Sequence, residues 1–416
     1  MTVETGGARF LIVGSAGFTG PTMVAANSEL QANYYDTGVD GTPFGSGTNG
    51  LGSPVTMNAG SLLTLYSNGG NTTVAIGSLS GQGIVRGEYL GTHTLKVGGD
   101  NSNAVFSGVI TDSFNTANSP TVLAKVGSGT QTLTGINTYS GATNINGGTL
   151  SLSGGGSLAD TTVVSIFTGA TLDISAVTGP TVEKVGSLSG AAGSVLHLGG
   201  NTLEYGDLAD TTFAGVIDGV GGSIKKVGAG TFTLNGTSTS TYSGSTSLTG
   251  GTLLLGHSDV LPDNAAFSLS GGTKFATGGF SDATGSASLL GNAVIDLGGG
   301  SCSSVLTFAN VDAWAGVLSV WNWNGTVNTP GVNGVNTRII FNAGTLNITQ
   351  LADVHFYSGG SGSPEIGTGG GLISLGGGAV ELVAVPEPAA LGMTGLLVLL
   401  VGVRDRGHRH FPKTRL

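Results

Sequence analysis

Several things this chain has little of limit what it can be. There is one cysteine, Cys302, so no intramolecular disulfide framework and no multi-thiolate zinc site can form. Charged residues make up 9%, against roughly 25% in an ordinary globular domain. The six histidines are scattered and show no H-E-x-x-H spacing, and no G-x-S-x-G elbow occurs, so the usual signatures of a metal centre or an activated serine are missing. Before the C-terminal tail, no run of ten residues combines helical periodicity with helix-forming composition.

What is abundant is glycine, 78 of 416 residues, in a chain that is still 39% hydrophobic. The glycines lack the period of three that a collagen helix needs. The apolar content is too high for a disordered linker. The net charge of -10 is unevenly spread, with nine basic against 23 acidic residues before Arg404 and five against one from there on. An acidic body repels a polyanion, which argues against a nucleic-acid partner.

The chain repeats itself. KVGSGTQTLTGINTYSGATNINGGTLSL, Lys125 to Leu152, aligns with KVGAGTFTLNGTSTSTYSGSTSLTGGTLLL, Lys226 to Leu255, with one two-residue insertion. VFSGVITD from Val105 answers TFAGVIDG from Thr212, and GSLSG occurs at Gly77 and Gly186. Within each unit, segments such as T-F-T-L-N and A-T-L-D-I-S alternate Leu or Ile with Thr, Ser or Asp, the pattern of a strand with one buried face. Gly and Asn separate them at sharp corners. The signature G-x-T-L or G-T-L returns at a spacing near 20 residues. Short strands and many turns also fit a β-sandwich. Recurrence at coil-like spacing favours an all-β, right-handed parallel β-solenoid (β-helix) built from short Gly/Thr-rich repeats.

The Y-S-G-A-T-N-I-N-G-G-T-L segment, preceded by K-V-G-S-G-T-Q-T-L, resembles the autotransporter-associated β-strand repeat of bacterial surface proteins. Degenerate copies extend through much of residues 60–300. The expected organisation is an N-terminal solenoid part or truncated start (1–59), the repeat region (60–300), a C-terminal β region (301–384) and a tail (385–416). Autotransporters end in a membrane β-barrel, which this tail does not resemble, so self-translocation is not implied.

In the tail, Pro386 and Pro388 disfavour helix. Ala389 to Val403 then forms an uncharged run of 15 residues. As a short C-terminal transmembrane helix it would be about 22 Å long, short of the ~30 Å hydrocarbon core. Arg404, Arg406 and Arg409 come next and would hold its end on the cytoplasmic side. Pro-Glu-Pro, a short apolar helix, then arginines is similar to the PEP-CTERM sorting signal of Gram-negative bacteria. The resemblance implies Pro386, Glu387 and Pro388 as recognition residues for an exosortase-type membrane protease. It further implies transient inner-membrane anchoring, then a cell-surface or extracellular location. The first 30 residues hold one basic residue, Arg9, and only Phe10 to Val13 as an aliphatic block. That is too short for a signal-peptide core, which runs against the expected export route unless the true start lies upstream or the chain is the C-terminal portion of a longer one.

Candidate chemistry is sparse. FLIVGSAGFTG, Phe10 to Gly20, imitates a dinucleotide-binding turn, but the next segment, Pro21 to Asn27, is too short for the crossover helix that such a turn requires. Asp207, Asp210 and Asp218, with Asp100 and Asp112 loosely equivalent in the earlier repeat, lie in Gly- and Thr-rich stretches where Asp caps backbone. They are read as structural; no catalytic residue, metal or cofactor is expected. Trp321 and Trp323, two apart on one strand face, are the candidate glycan contacts, with packing at the solenoid's end as the alternative. The expected function is an exported structural or adhesive β-solenoid, with extracellular polysaccharide as a partner. The rival readings are a glycan-binding module and a polysaccharide-active β-helix enzyme.

Overall fold

The computed structural model describes residues 2–3, 9–13, 20–33, 52–67, 70–113, 119–179, 182–299, 302–331 and 336–385. These wind into a parallel β-solenoid of about 13 turns, with about 1% helix. The alternation read from sequence is the alternation of burial: Thr231–Leu234, Thr252–Leu255 and Ser245–Leu248 each place every second side chain inside. Parallel pairing in register then stacks like over like. Leu150, Leu172, Leu196 and Ile217 are successive partners on four consecutive turns, and none is exposed. Thr130 partners Thr149 and Thr149 partners Thr171, so one turn takes 19 and then 22 residues. This is the near-20 spacing of the G-x-T-L signature.

From Val55 to Lys125 each turn crosses three sheets in the same order. Among the described residues, one sheet has ten strands, from Thr2–Val3 to Val216–Asp218. The next side is a five-stranded sheet, Arg9–Val13 to Val109–Thr111, whose place is later taken by a ten-stranded sheet beginning at Val182–Val185. The third side is a fourteen-stranded sheet running from Thr72–Ala75 to Glu365–Thr368. Beyond Asp218 the first sheet stops, and later turns carry two described strands each. The core changes with it. Aliphatic columns dominate the first half, and aromatic contacts dominate the second: Tyr205 on Phe232 at 4.4 Å, Phe267 on Phe275 at 4.7 Å and Phe308 on Phe341 at 5.7 Å between ring centroids.

An open parallel edge invites further pairing. Near the C-terminal end the chain turns back on itself. Glu365–Thr368 pairs antiparallel with Val354–Tyr357, and Ala379–Ala384 pairs antiparallel with both Arg338–Phe341 and Gly370–Gly376. Beneath this cap the buried Arg338 Nη2 donates to Glu381 at 2.8 Å, and the Gly331 N–H donates to the same carboxylate. A five-residue helix, Ile348–Ala352, sits beside it. Periodicity predicts no helix here. Five residues carry no periodicity, but Asn347 and Gln350 form a capping box that N-x-x-Q encodes locally. The expected membrane segment 389–403 lies outside the described residues. Among those described, no helix is long and apolar enough to cross a membrane.

At the repeat's K-V-G corner two turns approach closely in a left-handed backbone. Gly127 and Gly228, equivalent in the two copies, adopt φ of +69° and +68°. A Cβ on Gly127 would lie 2.1 Å from the Gly98 carbonyl oxygen of the preceding turn. Gly154 has nearly the same φ, +61°, but open space around it. Left-handed backbone alone costs an Ala about 1 kcal/mol, and forced overpacking adds roughly 1–3 kcal/mol. Gly127→Ala is therefore expected to lose about 2–4 kcal/mol of stability and Gly154→Ala about 1 kcal/mol, measured by urea unfolding. Equal losses at the two positions would show that the turn-to-turn approach is not limiting.

Candidate functional site

The strongest polar constellations lie inside the coil, at the residues that define the repeat. Lys125 is completely buried and Lys226 nearly so. The Lys125 ammonium donates to the carbonyls of Val126 (2.7 Å), Gly127 (3.1 Å) and, one turn on, Gly147 (3.0 Å). Lys226 repeats the arrangement with Val227, Gly228 (3.1 Å) and Gly250 (3.5 Å). Burying an unpaired ammonium costs several kcal/mol. Charge-assisted bonds worth roughly 1.5–3 kcal/mol each offset that cost. Burial pushes Lys125 down to about 8, against the pull of Asp100, so at neutral pH it still carries its proton. Burial also lowers Lys226, opposed by Asp207 and Asp210.

That places the acids singled out from sequence. Asp100 accepts from Ser78 N–H (3.0 Å) and Ser102 N–H (3.1 Å). Burial pushes its carboxyl up, but these bonds, with those from the Ser78 and Ser102 hydroxyls, outweigh burial and leave it below the ordinary range. Asp112 accepts from Thr121 N–H (2.6 Å) and Ser140 N–H (2.9 Å). Asp207 and Asp210 accept from Ala209 N–H (2.7 Å) and Thr231 N–H (2.6 Å). Asp218 is bonded to His197 instead. Register places His197 between Asp173 and Asp218, on neighbouring turns of the ten-stranded sheet that ends at Asp218. No group of three His, Cys, Asp or Glu among the described residues could hold a metal ion.

The Y-S-G-x-T motif is equally internal. Tyr139 and Tyr242 are buried, and their hydroxyls bond Thr143 at 2.6 Å and Thr246 at 2.5 Å. Gln131 occupies an inward position that Phe232 fills in the second copy, and it reaches back two turns to the N–H (3.1 Å) and carbonyl (2.9 Å) of Leu79. Two buried carboxylates are not foreseen from sequence at all. Glu183 accepts from Leu158 N–H at 2.8 Å, and Asp282 from Val260 N–H at 3.0 Å. Both cap the loop after a repeat's last strand, and S-L-A-D and V-L-P-D are the corresponding loop sequences.

The two candidate tryptophans part company. Asn322 between them takes φ +58°, which breaks the alternation. Trp323 turns inward, 2% exposed, and packs on Phe356 at 5.0 Å. Trp321 stays on the outer face, near Lys274 and Asp296. Pro386, Glu387, Pro388, Arg404, Arg406 and Arg409 lie outside the described residues. The described body ends at Val385, whose N–H donates to Gly369.

Residues 123–152 and 224–255 match the family model of the passenger-associated transport repeat. No curated protein matches the chain, and no solved structure does. The matched segments are the two copies in which the buried lysine, the Gly corner and the Tyr–Thr bond recur. Such repeats on a parallel solenoid fit a passenger-type extracellular β-helical protein.

Glu183 generates a pH prediction. Burial pushes its carboxyl up to about 8, with Asp160 adding to the rise and the Leu158 bond opposing it. An unfolded carboxyl titrates near 4.3. Between these values the folded state holds a proton that the unfolded state has released, so stability falls as pH rises from about 4.5 to 8. Asp282, raised to about 7, acts in the same direction. Glu183→Gln keeps an acceptor for Leu158 and is expected to gain a few kcal/mol at pH 8.5 and little at pH 4.5. Thermal melts across pH 4.5–8.5 read this directly; parallel profiles for variant and parent would refute it.

Proposed function

We propose that this chain is an exported, extracellular β-solenoid with a structural or adhesive role, and that an exosortase-type membrane protease sorts and cuts it at Pro386-Glu387-Pro388. The observation that carries the reading is the repeat itself. Its Lys and Gly signatures join turn to turn and its Tyr fixes the loop within a turn, which is the work of a scaffold. Such a repeat is matched by a passenger-associated family model. The last strand, Ala379–Ala384, closes the cap immediately before the motif, so cutting there would leave the coil intact. The uncharged run and the arginines behind it suit a temporary halt at the inner membrane better than a lasting anchor.

The chemistry of the body supports a non-enzymatic role. A glycoside hydrolase needs two carboxylates about 5–9.5 Å apart, one with a raised pKa, facing the substrate. The two carboxyls raised most, Glu183 and Asp282, are buried and hold backbone loops. Asp100, Asp207 and Asp210 accept from backbone N–H groups, and their charges act on the buried lysines. Purified protein is expected to release no sugar from neutral or acidic polysaccharides, with or without calcium. Turnover that disappears in Asp207→Ala or Asp218→Ala would replace this reading with an enzymatic one.

The sorting step has its own test. In a host with an exosortase-type protease, and with an export signal supplied, surface protein is expected to lack residues from about Ala389 onward. Glu387→Ala is expected to leave an uncut form in the inner membrane. Mass spectrometry that finds Arg404 to Leu416 on the surface product would reduce the tail to an ordinary anchor.

A further inference from the structure

Most of the coil's outer face is small and hydroxylated, but one stretch of the fourteen-stranded sheet departs from that pattern. Lys274, Val294 and Ser319 are register partners on three consecutive turns, and beside them run Ala276, Asp296 and Trp321. Asp296 lies beside Trp321 in register, and Lys274, Val294, Ser319 and Trp321, with Asn292 and Val317 among others, line a groove of about 400 Å³. Its size falls within the range of about 300–1,000 Å³ typical of small-molecule sites. We propose that this groove is a binding subsite for a neutral pyranose unit of an extracellular polysaccharide, with the Trp321 indole as its stacking platform.

The chemistry is that of a sugar site. A pyranose ring has an apolar C–H face and a rim of hydroxyls, so it needs an aromatic plate bordered by fixed donors and acceptors. Trp321 supplies the plate. Asp296 is held from two sides: Asn322 Nδ2 donates to it at 2.6 Å, and Lys274 Nζ lies 3.8 Å from its other oxygen. The same ammonium lies 5.8 Å from the indole centroid, at the outer limit of a cation–π contact. A carboxylate, an ammonium and an amide are thus joined to one another next to Trp321, a geometry set before binding, which lowers the ordering cost of a ligand. Both charges remain reachable, with 35% of the Lys274 side chain and 17% of the Asp296 side chain exposed.

Charge selects the class of sugar. Asp296 already neutralises Lys274, the groove's own cation, and the body before the tail has 23 acidic against nine basic residues. A polyuronate would meet a repulsive field there. A neutral glycan meets only the hydrogen-bonding rim. The subsite rests on the extracellular reading for its biological setting, but not for its chemistry.

The test is affinity electrophoresis of the purified full chain in gels containing hydroxyethyl cellulose, glucomannan, arabinoxylan or galactan, with polygalacturonate and alginate in parallel. At least one neutral polymer is expected to retard the chain, and neither anionic polymer is. Trp321→Ala is expected to weaken that retardation at least tenfold. Ser319→Tyr, which fills the groove and leaves the indole in place, is expected to do the same. Trp323→Phe, changed inside the core, is expected to bind as the parent does. Circular dichroism checks that each variant is folded. Retardation by no neutral polymer, retardation confined to the anionic ones, or binding unchanged in both Trp321→Ala and Ser319→Tyr would overturn the subsite. None of these outcomes touches surface location, which the mass spectrometry of the mature product decides separately.

Discussion

Each turn of this coil presents a row of N–H and C=O groups along the axis that only the next turn can satisfy. The fold depends on that one requirement. Because every turn must pair in register with its neighbours, any position in the cross-section becomes a column running the length of the sheet. A column of leucines makes a core, as from Leu150 to Ile217. Where corners interrupt the ladder, side chains must replace the missing partners, since an unpaired buried polar group costs about 1–3 kcal/mol. Lys125 and Lys226 do so for corner carbonyls, Glu183 and Asp282 for loop N–H groups, and Gln131 for both groups of Leu79.

The same constraint explains why the chain carries so little charge. Strands pair about 4.8 Å apart, so a charged residue repeated in a column would sit almost on its own copy. Two like charges 4 Å apart repel by about 1 kcal/mol in water and several times that near a protein surface. Hydroxyls have no such cost and bond one another instead, as Ser247 with Ser268 and Ser165 with Ser189, both at 3.1 Å. Where charges do stack, their signs alternate. Lys184, Glu204 and Lys225 are consecutive partners before the column passes to Ser247, Ser268 and Ser288. Serine and threonine are therefore the economical surface for a solenoid, and the 9% charge is a consequence of the architecture.

Columns are also why much of the fold was legible from sequence. A one-turn repeat writes itself into the chain as recurring G-T-L at near-20 spacing, and strand faces write themselves as alternation. What was hidden is whatever alternation does not encode. K-V-G reads as a surface corner, because nothing local says that the lysine bends inward onto three carbonyls. The acid of V-E-K-V looks exposed, since its partner, Leu158, lies 25 residues earlier. Trp321 and Trp323 looked coplanar because Asn322 between them was given ordinary strand backbone; its positive φ flips the next side chain. The short helix at Ile348 had a local signal, the N-x-x-Q box, which a search for long periodic runs passes over.

A repeat that serves the coil must look the same on every turn, so specificity has to come from departures. The Tyr–Thr bond, the Gly corner and the buried lysine occur in both matched copies, the first fixing a loop within its turn and the other two joining neighbouring turns. Lys274, Asp296 and Trp321 come after the last matched segment, on turns where the outer face would otherwise continue in small residues. Asp296 is tied to Asn322, and Asn322 is the residue whose backbone sends Trp323 into the core while Trp321 stays out. One local irregularity thus does two things, anchoring the end of the core with one indole and fixing the carboxylate beside the other. In a molecule made of repetition, that coupling ties the groove to the core beneath it.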